Sequence, residues 1–301
     1  MTGSSKILVI GATGNTGSGL TPALRGVVAQ VRALVRDASK APALREMGVD
    51  VFMGDLNRPA TIGPAMEDVD KVYLCTTNGP EQEQQALNAI DAAKKAGVAH
   101  IVRHSAWGSA ESRIIQQCDR IEEAVKSSGI PWTILKPTFY MQNLMMAAQS
   151  IDSDGAFYWD LGDGELAMID VRDIVDSAFA VLTGSGHEGK SYILTGPEPI
   201  SLHDVARTFT TVLGKNVTYV NVPPEAALNF MLSLGFPEWT ARGYGELMHG
   251  FSQGFANRAS DSVATLTGRP ARSIDQFAHD YAQVFGSVTA TPERAAMAVT
   301  A

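Results

Sequence analysis

The first half of the chain alternates short apolar runs with helix-like stretches. "KILVIGA" (6–12), "QVRALVRD" (30–37), "VDVFMGD" (49–55), "KVYLCTT" (71–77), "HIVRHSA" (100–106) and "PWTILKP" (131–137) are β-branched, apolar and bounded by Gly, Asp or Pro. That pattern predicts strands. Between them lie segments such as "EQEQQALNAIDAAKKAG" and "RIIQQCDRIEEAVKSSG", whose closing Gly97 and Gly129 mark helix ends before the next strand. Strands that are apolar on both faces and alternate with helices predict an α/β fold with a doubly wound parallel sheet covered on both sides. Ligands in such a sheet sit beyond the carboxyl ends of the strands, so the last residues of each strand carry the functional expectation.

Past residue 150 the pattern loosens. "FYWDLGDGELAMID" is irregular, and a helix-like run follows from Val171 to Leu182. "KSYILTG" and "NVTYVNVP" read as strands, and Ser201 is placed to cap the helix of "SLHDVARTFTTVLG". From Pro223 to about Phe285 the chain reads as helical, broken at Gly235, Pro237 and Pro270. "FMLSLGFPEWTARGY" (230–244) suits either a lid hinged at Gly235 or an ordinary packed helix pair. The tail 287–301 has no periodicity, which predicts a flexible end.

The first predicted strand runs into "GATGNTGSG". A helix N-terminus carries unpaired N–H groups and partial positive charge, and so attracts phosphate when the turn is free of side-chain bulk. Gly11 would form the tight turn, Gly14 the close backbone approach and Gly17 the helix–strand contact, with Thr13, Asn15 and Thr16 adding hydrogen bonds. Strand, glycine turn and helix in this order predict a dinucleotide site. The second strand ends at Arg36, with Lys40 four residues on, where a basic residue accommodates a 2′-phosphate; this favours NADP, with NADPH preferred over NADH. Adjacent Asp37 would favour NAD if it turned inward. The expected organisation is a dinucleotide-binding Rossmann unit at 1–150, to which 166–196 returns, and a smaller, mostly helical unit at 151–301.

Composition narrows the partners. The 301 residues carry a formal net charge of −8 with no block of Lys or Arg, against a nucleic-acid surface. Two cysteines, Cys75 and Cys118, form no disulfide framework, which suits a reducing, cytoplasmic setting. The polar start "MTGSSK" does not read as a signal peptide, and no apolar run approaches the ~20 residues of a membrane span. The expected partner is a small-molecule substrate, with no nucleic acid and no membrane; a homodimer is left open.

"GATGNTG", "RALVRD", "GDL" (54–56), "SGIPWTILKPTFYMQN" (128–143) and "VRDI" (171–174), in this order, resemble the NmrA-like family of atypical short-chain dehydrogenase/reductases. Within it, the chain looks similar to the bacterial quinone oxidoreductase and triphenylmethane reductase type. The resemblance implies a Rossmann unit with a substrate-covering C-terminal one. It also implies cofactor contacts at Gly11, Thr13, Gly14, Asn15, Thr16, Gly17 and Arg36, with Asp55 and Leu56 near the adenine and Thr76 and Thr77 near the nicotinamide half. Pro137 to Tyr140, including Phe139, and Asn143 would line the cleft between nicotinamide and substrate. Asp55, Thr77, Ser105 and Pro137 also fall at predicted strand ends.

The standard Tyr-x-x-x-Lys proton-donating pair of these enzymes is absent, since none of the seven tyrosines has Lys four residues later. Tyr140, His104 and Cys118 are the candidate catalytic residues. Each has an ordinary alternative: a packing tyrosine, a structural strand-end histidine and a buried apolar thiol. Lys136 pairs a carboxylate or caps its strand, and Trp107, Phe139, Tyr158 and Trp159 form either an aromatic wall or plain core. The resulting expectation is hydride transfer from NADPH to a small, flat, conjugated acceptor, such as a quinone, dye, enone or imine. The alternative is a non-catalytic NADP(H)-sensing regulator that binds a partner protein. A conjugated acceptor yields a stabilised anion, so the lack of a strong protein acid is compatible with catalysis.

Overall fold

The computed structural model describes residues 5–28 and 30–286. Its strands, in chain order, are β1 (Lys6–Ile10), β2 (Gln30–Val35), β3 (Asp50–Met53), β4 (Lys71–Leu74), β5 (His100–His104), β6 (Trp132–Pro137), β7 (Ala156–Trp159), β8 (Glu165–Leu166), β9 (Lys190–Leu194), β10 (Ile200–Ser201) and β11 (Thr218–Asn221). The α-helices are α1 (Gly17–Arg25), α2 (Ala41–Glu46), α3 (Gly63–Met66), α4 (Gln82–Ala96), α5 (Arg113–Ser127), α6 (Ala148–Asp154), α7 (Val171–Thr183), α8 (Leu202–Leu213), α9 (Pro224–Ser233), α10 (Glu238–Ser252), α11 (Ser262–Thr267), α12 (Ile274–Asp280) and α13 (Ala282–Phe285).

Seven strands form one parallel sheet in the order β3-β2-β1-β4-β5-β6-β9. The order reverses between β1 and β4, which opens a crevice at their carboxyl ends. Alternation along β1 shows why both faces are covered. Ile7 and Val9 pack with Leu20 and Leu24 of α1 and Ile174 and Val181 of α7. Leu8 and Ile10 pack with Met66 of α3, Ile90 of α4, and Ile121 and Val125 of α5 on the other side. The fold is therefore the doubly wound Rossmann-type architecture that the alternating pattern predicts.

A third core, around Phe157, Phe209, Phe251, Phe277 and Phe285, lies in the later part of the chain. It is built on α6, α8, α10, α12 and α13, with the small pairs β7–β11 and β8–β10. Ser201 caps α8 in a reciprocal box with Asp204, as its position predicts. The stretch read as irregular in fact holds β7 and β8. Both are very short, and β7 finds its partner β11 some sixty residues on, at Thr218–Asn221, so no local periodicity announces it. The tail 287–301 lies outside the described residues. No helix among the described residues is long and apolar enough to cross a membrane.

Candidate active site

The turn after β1 is built around two glycines that tolerate no side chain. Gly11 has φ +85°, and a Cβ there would lie 2.9 Å from the Cys75 carbonyl oxygen across the crevice. A Cβ on Gly17 would fall 2.0 Å from the Gly11 carbonyl oxygen, so α1 can start this close to β1 only with glycine. The Gly14 amide closes the turn by donating to the Gly11 carbonyl at 3.0 Å. Thr13 and Asn15 are partly exposed on the rim, while Thr16 is buried. Its hydroxyl caps no amide of α1 and instead meets the Tyr73 hydroxyl of β4.

Arg36 and Lys40 are exposed beyond β2. Asp37 is engaged on its own turn. Its carboxylate accepts from the Ser39 amide at 2.9 Å and the Ser39 hydroxyl at 2.7 Å, and these bonds hold its pKa below the usual range. Asp55 turns likewise on its own loop, accepting from the Asn57 amide at 2.9 Å, and the Leu56 carbonyl accepts from Asn88 at 2.7 Å. Thr77 is exposed just after β4; Thr76 is buried, its hydroxyl accepting from Arg103 at 3.1 Å.

At the carboxyl ends of β4, β5 and β6 the structure joins residues far apart in sequence. The Tyr140 hydroxyl lies 2.7 Å from Nε2 of His104, and Nδ1 of His104 lies 2.7 Å from the Tyr73 hydroxyl. Tyr73 in turn reaches the Thr16 hydroxyl at 3.2 Å. An unbroken hydrogen-bonded run thus connects the glycine turn with Tyr140. Burial, with the neighbouring Arg103 cation, lowers the His104 pKa to about 3, so the imidazole is neutral and one ring nitrogen donates while the other accepts. Burial raises the Tyr140 and Tyr73 pKa values well above the usual phenol value, and both stay protonated at neutral pH.

Cys118 and Ser105 are both buried. Cys118 is buried inside α5, and burial pushes its thiol pKa up. Ser105 donates to the buried carboxylate of Glu122 at 2.6 Å, and Lys136 pairs with the same carboxylate at 2.9 Å. Lys136 is therefore a carboxylate partner rather than a strand cap. Pro137 is buried, and its carbonyl accepts from the Trp107 amide at 2.8 Å. Sequence reasoning missed Tyr73 and Arg103. Tyr73 stands opposite Val9 and Val102 in the sheet, where an apolar side chain would serve the core, so a phenol within "KVYLC" was the available signal. Arg103 is wholly buried between strands, which no local pattern announces.

A cleft of about 440 Å³ is lined from Phe139, the residue before Tyr140, onward into the later part of the chain. Phe139, Asn143, Tyr158, Trp159, Phe230 and Tyr244 are among its lining residues. Phe139 and Trp159 meet edge to face with centroids 5.5 Å apart, and the Tyr244 hydroxyl accepts from Asn78 in the loop after β4 at 3.0 Å. Three of the four aromatics expected in a wall thus line the cleft. Trp107 instead packs in the core against Phe255, with centroids 5.3 Å apart. Its neighbour in the chain, Gly108, lies against Leu247 and Ile115, whose side chains a Cβ there would displace.

Comparison with known proteins places this arrangement in context. The chain is 39% identical over 284 residues to an NAD(P)H azoreductase of Xenophilus azovorans, covering 93% of this chain and 99% of the relative. Its fold matches the NADPH-dependent quinone oxidoreductase of Escherichia coli in complex with NADPH (TM-score 0.83, 29% identity, 90% of this chain and 98% of that one). It also matches the triphenylmethane reductase of Citrobacter sp. in complex with NADP(H) (TM-score 0.79, 29% identity, with the same two shares of 90% and 98%). The NmrA-like family model matches residues 3–258, and the chain belongs to the NmrA-like family.

Proposed function

We propose that the protein is an NADPH-dependent reductase of a small, flat, conjugated acceptor. The observation that carries this reading is the hydrogen-bonded run from Thr16 through Tyr73 and His104 to Tyr140, which ties the glycine turn to the edge of an aromatic cleft. The relatives named above, reductases of azo, quinone and triphenylmethane compounds, support it.

The turn fits a dinucleotide, because glycine at positions 11 and 17, where a Cβ would meet the Cys75 and Gly11 carbonyls, keeps the turn tight and lets α1 start close behind β1. Gly11, Thr13, Gly14, Asn15, Thr16 and Gly17 would hold the pyrophosphate. Arg36, with Asp37 bonded to Ser39, would grip the 2′-phosphate, and Lys40 would add charge nearby. Asp55 and Leu56 would border the adenine, and Thr76, Thr77, Ser105 and Pro137 the nicotinamide half. The cofactor supplies the hydride. Phe139, Trp159 and Tyr244 orient the acceptor and keep water from it.

Tyr140 acts as a neutral hydrogen-bond donor to the anion that hydride addition creates. For this, Nε2–H of His104 donates to the Tyr140 oxygen, which leaves the phenolic proton to the substrate. Nδ1 then accepts from Tyr73, whose single proton turns from the Thr16 hydroxyl to the imidazole while Thr16 donates in return. His104 is a positioning residue, and neutrality makes it suitable, because an imidazolium would donate from both nitrogens and reverse the Tyr73 bond. Cys118, buried with a raised pKa, is given no step.

Titration of intrinsic fluorescence with NADPH and NADH tests the cofactor half. NADPH should bind more tightly, and Arg36→Ala should abolish the preference. Oxidation of NADPH with quinones, triarylmethane dyes, enones and cyclic imines tests the chemical half. Binding without turnover on any of them would favour a regulator that senses NADP(H) for a partner protein.

A further inference from the structure

The cleft walls are uneven in charge. Among the described residues that line it there is no Lys, Arg or His, while Asp154 and Asp160 both do. Asp154 is exposed at the end of α6, but Asp160 is half-buried just after β7, next to Trp159. Neighbouring acids have cationic or imidazole partners: Asp152 pairs with Lys215 at 3.1 Å and Asp163 lies 3.3 Å from His203. Asp160 forms no ion pair among the described residues, and burial raises its pKa. A carboxylate held against an aromatic wall without a counter-charge costs free energy that a bound cation relieves, and aromatic faces add attraction for the same charge. A bound anion would meet like charge in a medium that screens poorly.

We propose that Asp160 makes this cleft select flat aromatic ligands by charge, accepting cationic ones best, neutral ones next and sulfonated ones poorly. This deepens the reductase reading, on which it rests for the role of the cleft. The ligand would lie among Phe139, Trp159 and Tyr244 with its positive end toward Asp160.

The test uses three 1,4-naphthoquinones that share one ring system and carry a methyl, a trimethylammoniomethyl or a sulfonate group. Their binding is followed by tryptophan quenching on the full chain saturated with NADP⁺, so that no hydride transfer is needed. The trimethylammonium compound should bind about tenfold more tightly than the methyl compound, and the sulfonate about tenfold more weakly. Asp160→Asn should bring all three within about threefold, and Asp160→Glu should restore the order. Asp163→Asn removes the same unit of charge outside the cleft and should leave the order intact, which separates Asp160 from the net charge of −8. Equal binding of the sulfonate and the trimethylammonium compound, or an unchanged order in Asp160→Asn, would overturn the proposal. Charge-ordered binding without turnover of any acceptor with NADPH would sink the reductase reading and leave this one standing. Turnover without charge order would do the reverse.

Discussion

At the residue scale, the site depends on groups kept neutral by burial. Tyr140→Phe removes one donor to the developing anion and should lower kcat by about 10- to 100-fold with a small change in acceptor KM, as steady-state kinetics would show. His104 and His100 give a second, independent expectation. Burial lowers their pKa values to about 3 and about 4. The unfolded chain takes up protons near pH 6.5 that the native state refuses until those lower values, so both residues destabilise the fold as pH falls below about 6.5. Chemical denaturation between pH 7 and pH 5 should show this loss, steepening toward about 1.4 kcal/mol per pH unit for each histidine. His104→Gln should remove one such share, and an unchanged slope would mean that His104 titrates in the fold as it does in the unfolded chain. Little of this was legible beforehand. His104 falls at the end of a predicted strand and Tyr140 a little beyond another, but their contact spans 36 positions and depends on β5 and β6 being neighbours.

At the scale of elements, legibility tracks length and local periodicity. The six strands of the first half were readable because each is apolar on both faces and bounded by Gly, Asp or Pro. The glycine turn was readable because its spacing follows a strand and opens a helix. β7 and β8 were not, since tertiary pairing alone defines them. Gly17 shows how strictly one contact holds α1 to β1. In Gly17→Ala the new methyl would meet the Gly11 carbonyl, so the helix must retreat. NADPH affinity should fall by more than about tenfold and Tm by several degrees, measured by fluorescence titration and calorimetry. α9 is the opposite case. None of its residues is buried, Phe230 is 52% exposed yet lines the cleft, and Gly235 at φ +84° sets the turn into α10. Phe230→Ala should raise acceptor KM severalfold while leaving Tm nearly unchanged.

At the scale of the whole molecule, the sheet provides the crevice and the later core provides the cleft beside it. The first is the general offering of a doubly wound sheet, and the second carries this chain's own aromatic and acidic residues. Asn78 to Tyr244 and the run from Thr16 to Tyr140 connect the two at their shared edge. Because each relies on residues more than a hundred positions apart or on a chain of three bonds, the joint function is a property of the assembled fold. The most direct measurement is the loss of NADPH absorbance when 2-methyl-1,4-naphthoquinone is added to the wild-type protein and to Tyr140→Phe. The expected result is acceptor-dependent oxidation, faster with NADPH than with NADH and strongly reduced in the variant. Saturable NADPH binding with no oxidation by this quinone or by any dye, enone or imine would contradict a reductase. Oxidation unaffected by loss of the Tyr140 hydroxyl would contradict its role as the donor.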